Sequence, residues 1–155
     1  MRNVHEWLHD YGVSHQNPTN KIIHWFCVPL IVLSTIGLIS LIPYPEFFNS
    51  ISPYLNFGSL FLLLAVIYYA ILSIPLAIGL AIFSIIVLAT LNWMTGLDIA
   101  LWKQCVGIFV AAWIVQFIGH EIEGKKPSFF EDIQFLMIGP MWLMSFIYKK
   151  LGIKF

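Results

Sequence analysis

Three histidines and a carboxylate carry the reactive chemistry of this sequence, and their spacing says how they can meet. Gln116, His120 and Glu123 stand at i, i+4 and i+7, so on a helix they form one polar stripe within about 60° of arc, while Glu121 points elsewhere. Asn20 and His24 are also four apart, an amide and an imidazole facing one direction, and His15 lies just before them in YGVSHQNPTNKIIHWFCVP. Three imidazoles and one carboxylate without a thiolate suit iron, zinc, copper or nickel, and a histidine-rich site with open positions is usual for non-haem Fe(II) oxygen chemistry. Asn20 and Gln116 fit as amides that orient the ligating rings. The plainer alternative, in which His24 and His120 only join helices by hydrogen bonds, stands beside this one. For His5 and His9 a place on the solvent face of a surface helix suffices.

The segments that must position these groups are oily. Of 155 residues, 59% are hydrophobic and 10% charged, and the mean hydropathy of +0.85 lies far outside the soluble globular range. Between Phe57 and Leu97 there is no Asp, Glu, Lys, Arg or His, which leaves room for two spans. The expected fold is all-α, one membrane-embedded domain over residues 1–155. It is a polytopic helix bundle with about four spanning helices, an N-terminal interfacial helix and a C-terminal re-entrant or interfacial helix. Zero formal net charge argues against nucleic acid, which demands a basic stripe. MRNVHEWLHD does not read as a secretory signal, so no cleavage is expected. Cys27 and Cys105 each sit in an apolar run and are expected to stay free.

Local signals place the boundaries. Asn3 and Glu6 form a capping box for a short first helix stopped by Gly12, with Val4, Trp7, Leu8 and Tyr11 on one face and His5, Glu6, His9 and Asp10 on the other. Asn17 caps and Pro18 opens a second helix to about Ile42, kinked at Pro29. Pro43, Pro45, Asn49, Ser52 and Pro53 make a loop. Spans follow over Phe57–Ser73 and Ile74–Thr95, joined by a hairpin at Ser73, and Asp98 caps a fourth over Ile99–Glu123, stopped by Gly124. Ser128 and Glu131 form a second capping box for a last helix that Gly139-Pro140 interrupts, leaving Met141–Tyr148 too short to cross. Trp25, Trp93, Trp102 and Trp142 fit an interfacial aromatic belt.

Orientation follows from the cations. Arg2, Lys21, Lys125 and Lys126 flank the first and fourth spans on one side, and the 43–56 loop carries only Glu46. The positive-inside rule makes the cationic side cytoplasmic, and His15, His24, His120 and Glu123 all fall on it.

The same stretch, together with WIVQFIGHEIEGKKPSFFED, resembles the paired signatures of the membrane-embedded 2-hydroxy fatty acid dioxygenases, the fungal α-oxidation enzymes of phytosphingosine breakdown and their bacterial relatives. The likeness runs through most of the chain in order and spacing. It implies Fe(II)-dependent cleavage of a long-chain 2-hydroxy fatty acid by O2, giving an acid one carbon shorter. It maps the first motif onto His15, Asn20 and His24, and the second onto Gln116, His120, Glu123 and Pro127. His15, His24 and His120 become iron ligands on this reading, with Glu123 the candidate fourth and His5 or His9 the alternatives to it. The membrane is a bacterial inner membrane or an endoplasmic reticulum, and the acyl tail lies between the spanning helices. Other classes remain open on the residues alone: a non-catalytic haem-binding or lipid-binding membrane protein, or a zinc membrane hydrolase.

Overall fold

The computed structural model describes residues 2–126 and 134–155. Within them the chain forms seven helices and no strand: α1 Val4–Val13, α2 Pro18–Ser40, α3 Phe47–Ile51, α4 Phe57–Leu72, α5 Ile74–Thr95, α6 Leu101–Glu123 and α7 Phe135–Leu151. The fold is thus an all-α membrane bundle. Helices α2, α5 and α6, of 23, 22 and 23 residues, are long and apolar enough to cross a membrane. Helix α4 is as oily but has 16 residues, about 24 Å at the α-helical rise, against a hydrocarbon core of about 30 Å. Ile74, Ile78, Ile82, Ile85 and Ile86 are exposed along α5, a face that water would not tolerate and lipid solvates.

Several helix ends form for the reasons read in the sequence. Asn3 and Glu6 exchange side-chain bonds with each other's backbone N–H, each at 2.9 Å. The Asn17 side chain accepts from Thr19 N, with Pro18 at the first position of α2. Ser73 ends α4 and caps α5, so those two helices must run antiparallel side by side. Gly124 takes φ 72° to stop α6, a conformation that costs glycine nothing.

Other boundaries differ. Helix α1 passes Gly12 and closes at Val13. The 43–56 loop contains the short α3. Asp98 does not cap α6, which begins two residues beyond Ile99 with Ala100 at the cap and no side-chain bond there. Gly139-Pro140 does not interrupt α7, which is continuous through both. Proline leaves the carbonyl of Leu136 without its N–H, and next to it Met137 O accepts the Tyr69 hydroxyl at 2.7 Å, a cross-helix bond of the kind that lets membrane helices carry proline. The proposed Ser128–Glu131 capping box lies outside the described residues.

Helix α2 packs mainly on α6, α4 on α5, and α1 on α7. The antiparallel α2–α6 contact is set by two glycines. A Cβ on Gly37 would strike Cys105 Sγ, and one on Gly119 would lie 2.6 Å from Asn20 Oδ1 and 3.2 Å from Ile23 Cγ2. Without side chains at those points the helices close together, and His24 comes beside His120. The apolar face of α1, Val4, Trp7, Leu8 and Tyr11, is buried against this bundle with Phe135, Ile138 and Trp142 of α7.

Candidate metal centre

Three elements deliver three imidazoles. His15 sits in the turn between α1 and α2, His24 on the second turn of α2, and His120 on the last turn of α6. His15 and His24 are fully buried and His120 is 4% exposed. Their ring centroids stand 4.3 Å apart for His15–His24 and 5.1 Å for each pair with His120. One nitrogen from each ring falls within 4.8 Å of the others.

Hydrogen bonds decide which nitrogen faces the centre. His15 Nδ1 donates to the Tyr11 carbonyl at 2.6 Å, and His24 Nδ1 donates to the Asn20 carbonyl at 2.9 Å. Each neutral ring then has its lone pair on Nε2. Those two Nε2 atoms are 2.9 Å apart, and two acceptors at that distance repel unless a proton or a metal ion lies between them. A metal ion about 2.0–2.1 Å from two nitrogens at a right angle holds them about 2.9 Å apart. The His120 ring is buried with them, and its Nδ1 has no hydrogen-bond partner among the described residues, which leaves that nitrogen available to a ligand. Burial pushes the His15 imidazole down to about 4, outweighing the Tyr11 carbonyl that favours the charged ring, so it is in its ligating form at neutral pH. Three neutral nitrogen donors so placed fit a metal ion. They do not fit a haem, whose two axial nitrogens lie on opposite sides of the iron, about 4 Å apart.

The remaining expected residues are gathered at the same end of the bundle. Gln116 Nε2 donates to His24 Nε2 at 2.6 Å, and its Oε1 is buried with no partner among the described residues. Asn20 orients His24 through its backbone carbonyl, whereas its side chain donates to Glu123 Oε2 at 3.1 Å. The Glu123 carboxylate stands outside the imidazole group: Oε1 accepts Gln16 N at 2.7 Å and Oε2 accepts Asn17 N at 2.8 Å. It fastens the turn that carries His15 to the end of α6. Lys125 Nζ adds a bond to the Val13 carbonyl at 2.9 Å. His5 and His9 are exposed on the outer face of α1, and Pro127 lies outside the described residues.

Two wall residues were not read as part of the site. Tyr11 stacks on His15, centroids 4.1 Å apart and 9° from parallel, and its i, i+4 relation to His15 was the available signal. Trp142 does not sit in an interfacial belt. It is 5% exposed and packs 5.3 Å from His15, brought there by the docking of α7 on α1. Trp25, Trp93 and Trp102 are exposed. Beside the imidazoles lies a cavity of about 50 Å³, polar at His15, Gln116 and His120 and apolar at Val28, Val32 and Leu136.

A family model described as 2-hydroxy-palmitic acid dioxygenase Mpo1-like matches residues 1–151. Among curated proteins, the chain is similar to the 2-hydroxy-palmitic acid dioxygenase MPO1 of Saccharomyces cerevisiae, at 29% identity over 145 residues that cover 92% of this chain and 78% of that protein. No solved structure matches.

Proposed function

The chain belongs to the Mpo1-like family of 2-hydroxy-palmitic acid dioxygenases, and from that premise we propose that it is a membrane-embedded Fe(II) dioxygenase. It cleaves long-chain 2-hydroxy fatty acids with O2, leaving acids one carbon shorter and releasing the carboxyl carbon as CO2 together with water. The observation that carries the reading is the buried cluster of His15, His24 and His120, one nitrogen of each within 4.8 Å of the others, with the Nδ1 atoms of His15 and His24 committed to carbonyls. His15 and His24 would hold the ion through Nε2, and His120 through Nδ1.

Fe(II), when bound, supplies a Lewis-acidic template and the electrons that activate O2. Three protein donors would leave room at the ion for the hydroxyl and one carboxylate oxygen of the substrate. Gln116 lines the same cavity as His15 and His120, and its amide would be released from His24 Nε2 when that nitrogen holds the ion. Tyr11 and Trp142 pack the rings and keep water from the far side. Glu123 serves as a positioning residue through Gln16 and Asn17, in place of a fourth ligand. Arg2, Lys21, Lys125 and Lys126 support a cytoplasmic side for this end of the bundle through the positive-inside rule.

Detergent-purified protein incubated with Fe(II), O2 and 2-hydroxyhexadecanoic acid tests the proposal. Formation of pentadecanoic acid, lost together with bound iron in His120→Ala, is the expected result. Full iron loading without a shortened acid would overturn it.

A further inference from the structure

The cavity beside the imidazoles does not stand alone. A second one of about 60 Å³ lies deeper, between α2, α4, α5 and α7, and the two share Val32 and Leu136 in their walls. Those two side chains therefore form the partition between them. The shallow space is polar at one end, where Gln116 Oε1 and His120 Nδ1 are buried without partners among the described residues. The deep space has no polar group to offer. Its two hydroxyls are committed, Tyr69 to Met137 O at 2.7 Å and Ser84 to Leu80 O at 2.8 Å. A ligand filling both must have a polar head and a purely apolar tail.

We propose that the two cavities are the halves of one acyl-chain site, with Val32 and Leu136 the side chains a tail displaces and Ile36, Leu62 and Ala65 its far end. The inference rests on the functional reading above and adds where the tail lies and what limits its length. From His24 to Ile36 the α2 axis advances about 18 Å, the reach of a long tail and well beyond that of a short one. Val and Leu suit such a partition because neither carries a polar group that the tail would strand. Another cavity, lined by Trp25, Pro29 and Met144, shares only Val28 with the shallow space and Leu80, Phe83 and Pro140 with the deep one, so it adjoins the deep half on the side away from the imidazoles.

Ala65→Leu places three extra carbons in the deep half, and Leu62→Ala enlarges it. Activity is compared on 2-hydroxyhexadecanoic and 2-hydroxyoctanoic acids, and thermal stabilisation of the metal-free variants is measured with hexadecanoic and octanoic acids. Ala65→Leu is expected to lower the long-to-short ratio of kcat/KM about tenfold or more. It should also cancel stabilisation by the long acid while sparing that by the short one, and Leu62→Ala should move both ratios the other way. An equal change for both lengths, or none in either variant, overturns the tail site. Should the wild type convert neither hydroxy acid while length-selective stabilisation persists, the functional reading falls and the acyl site stands.

Discussion

Glu123 closes the chain on itself by taking the backbone N–H of Asn17 at 2.8 Å, its other oxygen holding Gln16 at 2.7 Å. The last turn of α6 thereby carries the turn that bears His15. Charge-assisted bonds to backbone N–H groups are about twice as strong as neutral ones. Glu123→Gln keeps the shape but not the charge, and we expect it to cost about 1–2 kcal/mol and to weaken iron binding about tenfold. Thermal unfolding and metal titration check this, and an unchanged affinity would return Glu123 to the role of a surface residue.

Each imidazole is expected to be indispensable for metal retention. His15→Ala, His24→Ala and His120→Ala should each leave iron near background after Fe(II) loading and desalting, while His5→Ala and His9→Ala, on the exposed face of α1, should retain it. Elemental analysis distinguishes the two sets. Loss in the second set would mean that α1 contributes a ligand.

The two glycines of α6 offer a controlled pair. Gly119→Ala drives a Cβ against Asn20 and Ile23, whereas Gly107→Ala meets nothing within 4 Å. The first should destabilise by about 1–3 kcal/mol and lower metal affinity by spreading α2 from α6. The second should be neutral or stabilising by up to about 1 kcal/mol. Denaturation of both variants in the same detergent gives the comparison.

Acid should weaken the metal-free protein through His15. Its folded value of about 4 lies below the ordinary 6.5, so the unfolded chain takes up the proton first. The stabilising contribution is full above pH 6.5 and is lost as pH falls through 6.5 towards 4, amounting to about 3 kcal/mol for this fully buried ring. Melting curves of wild type and His15→Gln between pH 7 and pH 4 should converge as the pH drops. Parallel curves would show that His15 takes up its proton equally in the folded and unfolded chains.

The clustering of the three imidazoles was legible because helical spacing is rigid. Four-residue intervals placed Asn20 with His24 and Gln116 with His120, and the flanking cations gave the expectation that both motifs share one end of the bundle. What spacing cannot convey is how one helix docks on another. Trp142 reads like any boundary tryptophan until α7 is laid on α1, and the bare surface of Gly119 has meaning only with Asn20 opposite. Pro140 misled for a related reason. A proline predicts a break only where no neighbour supports the carbonyls around it, and Tyr69 comes from a helix far away in sequence. Glu123 was expected as the fourth ligand, and the backbone N–H groups of Gln16 and Asn17 that its carboxylate binds instead carry no trace in residue type.

His24 and His120 meet only through the pairing of α2 with α6, and that separation has a consequence for biosynthesis. At about 5–20 residues per second, His120 leaves the ribosome about 5–20 s after His24. Throughout that interval α2 is already in the bilayer, its imidazole lacking the two partners that α6 brings, Gln116 and His120. The half of the cluster on α2 therefore waits for the half on α6, and an ion that needs all three imidazoles could bind only once α6 has been delivered to the membrane.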